Sequence, residues 1–262
     1  MRAFVSTLLI TTLAIAFPFG EVAAVDEEIV IALPFDKLEG ETLKDISPHG
    51  NDGTIKRDVT LGKGKFGEAI NLDGRSWVDC GRDESLDLST TEDFTIALWA
   101  NPAVEQHITM AAIDPAGGEW NKWIFIYRPK WFQAGGITLH LNWPDRAGVW
   151  IASPWQDAKV GQWYQWSVVK QKNKYTFYID GKKNHEVEDA SPFPPMAAPL
   201  EIGRAEFGNY WRGLLDEFLI ARRALSEAEI QGHFKAGLRG ALAVEPIGKL
   251  PITWGAIKSE LQ

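Results

Sequence analysis

The sequence predicts an all-β sandwich that ends in one short helix. Between residues 25 and 240, short apolar runs alternate with turn-forming Gly, Pro, Asn and Asp, which indicates roughly ten to fourteen strands. Helical periodicity is almost absent outside one segment near the end of the chain. The composition, 45% hydrophobic and 24% charged over 262 residues, suits a single globular domain with a sizeable core.

The first 24 residues differ from the rest of the chain. Arg2 precedes an apolar run from Phe4 to Phe17, and residues 22–24 (Val-Ala-Ala) suit a signal-peptidase site. The run is short for crossing a bilayer, which needs about 20 apolar residues. We therefore predict a signal peptide at residues 1–24, with an uncleaved N-terminal anchor as the alternative. Either way the domain is expected to be exported, to the periplasm or the extracellular space.

Charge and cysteine content narrow the possible partners. The formal net charge is −8, so phosphate backbones and anionic membrane surfaces are poor partners. No later segment is apolar enough to insert into a membrane. The single cysteine, Cys80, excludes an internal disulfide framework and is expected to be a buried thiol.

Successive strands can be placed along the chain. "EEIVIALPF" reads as the first strand, and "AINLDGRSWVDCG" as two strands joined by an Asp73-Gly74 turn. "DFTIALWANP" alternates residues in the period of a strand. A second hairpin turn is expected at Asp180-Gly181, and "LEIGRA" and "GLLDEFLIA" complete the set.

One helix is well specified. Ser226 and Glu229 have the spacing of a capping box, and Leu225 and Ile230 that of a hydrophobic staple. Gly237 suits the C′ position, where a helix ends. The domain is therefore expected to cover residues 25–240. Residues 241–262 are expected to form a tail on the sandwich surface, with a partner-docking peptide as the alternative.

Several phrases occur in a specific order: "LPFDKLEGETLKDISPHGNDGTI", "GKFGEAINLDGRSWVDCG", "TTEDFTIALWANP", "GQWYQWSVVKQKNKYTFYIDGK", "LEIGRA" and "GLLDEFLIARRALSEAEI". This series, over residues 29–234, resembles the laminin-G-like domains of the concanavalin A-like lectin/glucanase superfamily, of the bacterial secreted type. The resemblance implies a jelly-roll β-sandwich of two antiparallel sheets, each of six or seven strands, one of them concave. It does not imply one activity, because the superfamily includes lectins, carbohydrate-binding modules, glycosidases and adhesion domains.

The sequence favours a non-enzymatic domain. Glycosidases need two carboxyl groups facing one sugar, and the E-x-D-x-x-E pattern of the superfamily's glucanases is absent. Asp216 and Glu217 are adjacent, so on a regular strand they point to opposite faces. The histidines lack a zinc-binding spacing, and no G-x-S-x-G motif occurs. A divergent glycoside hydrolase is the main enzymatic alternative.

The resemblance also implies one structural calcium ion that ties the first strand and its loop to the last strand. The matching positions are Asp36, Asp45, Asn51, Gly53 and Asp216. Calcium takes six to eight oxygen ligands from carboxylates, amides and backbone carbonyls. The alternative is that Asp36 and Asp45 cap turns and Asp216 accepts hydrogen bonds from backbone amides.

Twelve tryptophans are many for this length, and the middle third interleaves them with Asp, Asn, Arg and Gly. Indoles stack on the apolar faces of sugars, whose polar rims bind amides and carboxylates. The predicted ligand-binding residues are Trp120, Trp123, Trp131, Trp143, Trp150 and Trp155. The alternative is that indoles fill the core, as expected for Trp99, Trp163 and Trp166.

The resulting hypothesis is a non-catalytic domain that binds a carbohydrate or glycoprotein through a concave aromatic face. The alternative is a protein-interaction or adhesion domain.

Overall fold

The computed structural model describes residues 26–105, 107–115, 121–128, 136–205 and 208–242. The predicted signal peptide, Trp120, Trp131 and most of the predicted tail lie outside these residues. Seventeen strands occur in the described part: β1 (Ile29–Leu33), β2 (Leu38–Glu39), β3 (Thr42–Leu43), β4 (Gly53–Lys56), β5 (Thr60–Lys63), β6 (Glu68–Asp73), β7 (Trp77–Asp79), β8 (Phe94–Pro102), β9 (Ile108–Ile113), β10 (Lys122–Arg128), β11 (Gly136–Trp143), β12 (Arg146–Ser153), β13 (Tyr164–Gln171), β14 (Lys174–Ile179), β15 (Lys182–Glu188), β16 (Leu200–Ile202) and β17 (Arg212–Ala221).

The strands form two antiparallel sheets. The eight-stranded sheet has the order β15-β14-β13-β8-β17-β6-β5, and β1 pairs with the second half of β17. The nine-stranded sheet has the order β12-β11-β10-β9-β16-β7-β4-β3-β2. The predicted jelly-roll sandwich is therefore confirmed. Both sheets have more strands than the six or seven expected, and in the nine-stranded sheet the short pair of β2 and β3 adds to the count.

The main core lies between the two sheets. Each strand sends alternate side chains inward, as in β8, where Phe94, Ile96 and Leu98 join the core cluster. Cys80 is buried in the same cluster, as the sequence predicts. Trp166 is also fully buried there, whereas Trp99 is buried on the opposite side of its sheet, stacked on Phe234.

Helix α1 (Glu227–Leu242) packs on the outer face of the eight-stranded sheet. The predicted capping box is confirmed: the Glu229 N–H donates to Ser226 Oγ (3.3 Å), and the Ser226 N–H donates to Glu229 Oε2 (2.8 Å). Leu225 and Ile230 are buried in one cluster. The backbone leaves the helical conformation at Gly237 (φ 64°), as expected for a C′ glycine, but helical turns resume and reach Leu242.

A β-bulge in β17 corrects one expectation from the sequence. Asp216 lies opposite Trp99 of β8, but Leu219 lies opposite Ala97, so β17 contains one extra residue at this point. Glu217 sits in the bulge with a φ of 56°. A bulge re-aims side chains, so the alternation of a regular strand does not apply to this pair.

Asp216 and Glu217 consequently face the same side, beneath helix α1 and the loop of residues 64–67. The Phe66 N–H donates to Asp216 Oδ2 (3.1 Å), and the Leu238 N–H donates to Glu217 Oε2. A Cβ placed on Gly237 would lie 2.7 Å from Glu217 Oε2 and 3.0 Å from the Phe66 ring. Both acids are buried, at 0% and 2% exposure, so they form no open catalytic pair.

No helix in the described ranges combines the length and the apolar character that a bilayer crossing requires.

Candidate functional site on the outer face of the nine-stranded sheet

A row of paired residues crosses the outer face of the nine-stranded sheet. Each residue lies directly opposite the next on the neighbouring strand, and each points away from the core. From β12 to β7 the row contains Trp150, His140, Ile124, Ala112, Glu201 and Asp79. Aromatic, basic and acidic side chains thus share one surface.

At the β12 end, Trp150 is the exposed member of the row. Its indole is stacked on the imidazole of His140, with ring centroids 3.7 Å apart and planes 5° apart. The guanidinium carbon of Arg128 lies 4.1 Å from the centroid of the indole. Trp150 is 42% exposed, and no other tryptophan in the described ranges is in the exposed class. We call these three residues the Trp150 cluster.

The histidines of this face are neutral near pH 7. Burial, together with the charges of Lys122 and Arg128, lowers the pKa of His140 to about 4. Burial, together with the charge of Arg128, also lowers the pKa of His107 to about 4. The imidazole stacked on Trp150 is therefore uncharged, although the positively charged Lys122 and Arg128 are close to it.

The structure places two of the predicted ligand-binding tryptophans in the core instead. Trp123 and Trp143 are 1% and 4% exposed and belong to the cluster between the sheets. Trp123 alternates with Lys122 and Ile124 along β10, and these two neighbours point outward, so Trp123 must point inward.

Trp155 is partly buried against the same core. It packs edge-on against Tyr164 and Trp166, with centroid distances of 5.2 Å and 6.2 Å. Of the predicted set, Trp150 is thus the residue that the structure leaves as a surface aromatic, while Trp120 and Trp131 lie outside the described residues.

A second aromatic cluster, missed by the sequence reasoning, lies at the β7 end of the face. The guanidinium carbons of Arg204 and Arg57 lie 4.7 Å and 5.5 Å from the centroid of the half-buried Trp77. The ring of Tyr210 is 6.1 Å away. We call these four residues the Trp77 cluster. The sequence could have indicated this cluster, because Trp77 and Asp79 flank the core residue Val78 in β7 and therefore point outward.

Three carboxylates also share this face. Burial raises the pKa of Glu201, and the charges of Asp79 and Asp114 raise it further. Each carboxylate has a basic partner: Glu201 pairs with Arg204, Asp79 with Lys56 (3.6 Å) and Asp114 with Lys122 (4.0 Å).

The five predicted calcium ligands lie in two separate hydrogen-bond networks. The Asp45 carboxylate accepts from the N–H groups of Ala32 (2.7 Å), Ser47 (2.8 Å) and Asn51 (2.7 Å). The Asn51 amide donates to the Val30 carbonyl (2.7 Å). These hydrogen bonds already stabilise the loop after β1. They agree with the alternative given for Asp45, that its carboxylate caps a turn.

Gly53 belongs to this first region. It lies in β4 opposite Leu43, and a Cβ there would lie 3.7 Å from Cys80 Sγ.

Asp36 and Asp216 bind the loop before β6, next to Glu217: Asp36 accepts from the Glu68 N–H (3.3 Å) and pairs with Arg239 (3.0 Å). Asp216 Oδ2 accepts from the N–H groups of Lys65 and Phe66, as the alternative proposed, but the buried Oδ1 has no hydrogen-bond partner among the described residues. Burial, together with the charges of Glu217 and Asp36, raises the pKa of Asp216 to about 8. Burial likewise raises the pKa of Glu217 to about 7.

A metal would need more than these side chains. In the described part of the chain, no group of three or more His, Cys, Asp or Glu is arranged to hold a metal ion. Asp36 and Asp216 suit a calcium ion only if backbone carbonyls complete the ligand set. Asp45, Asn51 and Gly53 belong to the other region and add no ligand beside Asp36 and Asp216.

A family model described as "Concanavalin A-like lectin/glucanases superfamily" matches residues 73–231, from the turn after β6 into helix α1. The chain belongs to this superfamily. The match includes most strands of both sheets and both acids of the β17 bulge. No curated protein sequence matches the chain.

Solved structures with the superfamily fold resemble the chain at low sequence identity. Domain 4 of AbnA, a GH43 extracellular arabinanase from Geobacillus stearothermophilus in complex with arabinotriose, is 20% identical with a TM-score of 0.60. The similarity covers 78% of this chain and 96% of that domain.

The binding domain of botulinum neurotoxin DC is also similar. It is 14% identical in complexes with SialylT (TM-score 0.56) and with rat synaptotagmin II (TM-score 0.55). The similarity covers 80% of this chain and 52% of the toxin chains, so this chain spans about half of their length. These likenesses show the fold.

Proposed function

We propose that the protein is an exported, non-catalytic module that binds carbohydrate through the outer face of its nine-stranded sheet. The observation that carries the proposal is Trp150, an exposed indole held in place by His140. His140 is stacked on one face of this indole and the Arg128 guanidinium carbon lies 4.1 Å from its centroid, so a sugar would pack its apolar face on the exposed part of the ring while these groups meet its polar rim. Since the stack is already formed, little side-chain freedom is lost when a ligand binds.

The related structures support the same class of ligand. The arabinanase domain holds arabinotriose and one toxin binding domain holds SialylT. Another complex of that toxin domain holds a protein, which keeps adhesion to a protein partner as the alternative function.

The test is a glycan-binding panel probed with the wild-type protein, Trp150→Ala and Trp150→Phe. We expect Trp150→Ala to lose at least about tenfold in affinity, which corresponds to about 1.4 kcal/mol. Trp150→Phe should retain part of the binding because a smaller aromatic face remains. Binding that is equal in all three proteins contradicts the proposal. Capture of a protein ligand without any glycan binding supports the adhesion alternative.

Glycoside hydrolysis is a second candidate because three carboxylates share the outer face. Glu201 and Asp79 are direct cross-strand neighbours, and a raised pKa, as in Glu201, suits a general acid. The basic partners of these acids favour a structural role instead. Release of reducing sugar that disappears in both Glu201→Gln and Asp79→Asn would establish the hydrolase.

We also propose a structural calcium ion at Asp36 and Asp216. The proposal is supported by the buried Asp216 Oδ1 that lacks a partner among the described residues. A bound cation would stabilise the ionised forms of these acids and fasten the loop of residues 64–67 to β17.

A further inference from the structure

We infer that a groove beside the start of helix α1 binds a free amino acid with an apolar side chain. The groove lies on the outer face of the eight-stranded sheet, between strands β13, β14 and β15 on one side and residues 224–229 on the other. We call it the α1 groove. Its volume of about 390 Å³ is at the small end of the range for ligand pockets, about 300–1,000 Å³, so it suits a small molecule.

The floor of the α1 groove is largely apolar. Val169, Tyr178 and Leu225 line it, and all three belong to the apolar cluster that α1 covers on this sheet. Each is more than nine-tenths buried, so packing fixes the shape of the floor. The apolar side chain of a ligand can pack on this surface and leave contact with water, which favours binding.

One polar group of the floor has no partner in the protein. Tyr178 is 8% exposed, and its hydroxyl forms no hydrogen bond with the described residues. This oxygen is not sealed in the interior, so it opens into the groove. Burial, together with the charge of Glu227, raises the pKa of the phenol. The hydroxyl is therefore protonated near pH 7 and can donate a hydrogen bond to a ligand, as buried tyrosines usually do to a protein partner.

The wall formed by β14 and β15 is basic. Lys174 and Lys183 both pair with one carboxylate, that of Glu186, at 3.4 Å and 2.7 Å. Because two cations share one anion, this wall keeps a net positive charge. Each ammonium also has donors left after its bond to Glu186. Together with the Tyr178 hydroxyl, the two lysines can bind the carboxylate of a ligand.

The opposite wall, at the first turn of α1, is acidic. Glu227 lines the groove and accepts from the Gln231 amide (3.2 Å), but no basic side chain of the described residues pairs with it. The neighbouring Glu229 is already engaged, because it pairs with Arg223 and accepts from the Ser226 N–H. Glu227 is therefore the acid that remains for the cationic group of a ligand.

The two walls together select the charge of the ligand. Glu227 would repel a simple anion, and Lys174 and Lys183 would repel a simple cation. The hydrogen bond with Glu186 raises the pKa of Lys183, and Glu227 contributes, so Glu227 lies near this ammonium. Lys183 nevertheless pairs with Glu186, which leaves the space towards Glu227 open. A zwitterion places its ammonium at one wall and its carboxylate at the other, and the apolar floor then selects an aliphatic or aromatic amino acid.

The experiment is isothermal titration calorimetry of the protein with L-leucine and with two analogues that each lack one charge. L-Leucinamide lacks the carboxylate, and N-acetyl-L-leucine lacks the ammonium. The variants are Tyr178→Phe, Glu227→Gln and Lys183→Met. Lys182→Met is the matched control, because this neighbouring lysine does not line the groove. Thermal melts show that each variant is folded.

We expect L-leucine to bind at least about tenfold more tightly than either analogue, since each analogue loses a charge-assisted hydrogen bond. Tyr178→Phe, Glu227→Gln and Lys183→Met should each weaken L-leucine binding about tenfold, and Lys182→Met should bind as the wild type does. Glu227→Gln should leave the affinity for N-acetyl-L-leucine unchanged, and Lys183→Met that for L-leucinamide, because the partner charge is already missing from these compounds.

Equal wild-type affinity for the three compounds overturns the inference, and this comparison holds even where a variant fails to fold. Variants that bind L-leucine as tightly as the wild type overturn it as well, and so does a loss in Lys182→Met as large as in Lys183→Met. The absence of binding to L-leucine, L-valine and L-phenylalanine has the same meaning. None of these results affects the carbohydrate proposal, because Trp150 lies on the other sheet.

Discussion

The rings of His140 and Trp150 lie face to face on neighbouring strands, with centroids 3.7 Å apart. The two residues are a direct cross-strand pair in the register of β11 and β12. The pairing therefore positions an exposed indole by means of a half-buried neighbour. Because the lowered pKa keeps His140 neutral at pH 7, the imidazole itself requires no counter-ion.

The first prediction concerns the stability of two tryptophan variants. Trp123→Ala should lower the free energy of unfolding by about 3–5 kcal/mol, because it leaves a large cavity between the sheets. Trp150→Ala should lower it by less than about 1.5 kcal/mol, because the indole is 42% exposed and mainly its contacts with His140 and Arg128 are lost. Urea unfolding followed by circular dichroism measures both. Equal losses would show that Trp150 is a core residue.

Strand β10 shows how far the sequence could predict which tryptophans lie on the surface. In "KWIFIYR" both faces of the strand are apolar in the middle, so hydrophobicity alone does not decide whether Trp123 points inward. Lys122 and Arg128 stand at the two ends, on the face opposite Trp123. These two charged residues indicate which face of β10 points outward. From them, Trp123 could have been assigned to the core.

The β17 bulge shows what sequence reasoning could not reach. The alternation rule predicts opposite faces for Asp216 and Glu217, and it fails because one extra residue interrupts the pairing with β8. A positive φ at a glutamate has no local signal, since glycine and asparagine are the usual residues there. By contrast, the capping box of Ser226 and Glu229 is a local motif, and it was predicted correctly.

The second prediction tests that capping box. Ser226→Ala should lower the free energy of unfolding by about 1 kcal/mol, because the Glu229 N–H loses its acceptor. Ser226→Thr keeps a hydroxyl and should lower it by much less. The difference between the two variants in urea unfolding is the measurement. If Ser226→Ala were as stable as Ser226→Thr, the cap would contribute nothing to the docking of α1.

The third prediction concerns pH between 6.5 and 8. Asp216 and Glu217 have folded-state pKa values of about 8 and about 7, raised from 3.8 and 4.5 by burial. The folded state thus holds protons that the unfolded state has already released. This contribution to stability is complete below about pH 4 and is lost as the pH rises through 7 to 8. In metal-free buffer, the free energy of unfolding should fall over this range.

The buried histidines change the free energy of unfolding with pH in the opposite direction, but at lower pH. Burial lowers the pKa of His233 to about 4, from 6.5, as it does for His107 and His140. Their contribution is present above pH 6.5 and is lost as the pH falls towards 4, so it does not mask the carboxylates above 6.5. The control is Glu217→Gln, which should flatten the profile between pH 6.5 and 8. A wild-type stability that rises across this range contradicts the raised pKa values.

The fourth prediction concerns calcium. If the cation binds the ionised Asp36 and Asp216, adding calcium at pH 8 should raise the melting temperature, and a chelator should reverse the increase. The effect should be smaller at pH 5, where the raised pKa keeps Asp216 protonated and proton and metal compete for the same oxygens.

Two matched variants locate the metal. Asp216→Asn should abolish the calcium response. Asp45→Asn should destabilise the protein and yet retain the response, because the Asp45 carboxylate accepts backbone N–H groups in the separate network after β1. If the rise in melting temperature with calcium were lost in Asp45→Asn and kept in Asp216→Asn, the metal site would be in the Asp45 network instead. A melting temperature unchanged by calcium at pH 8 would show instead that protons alone stabilise the buried acids.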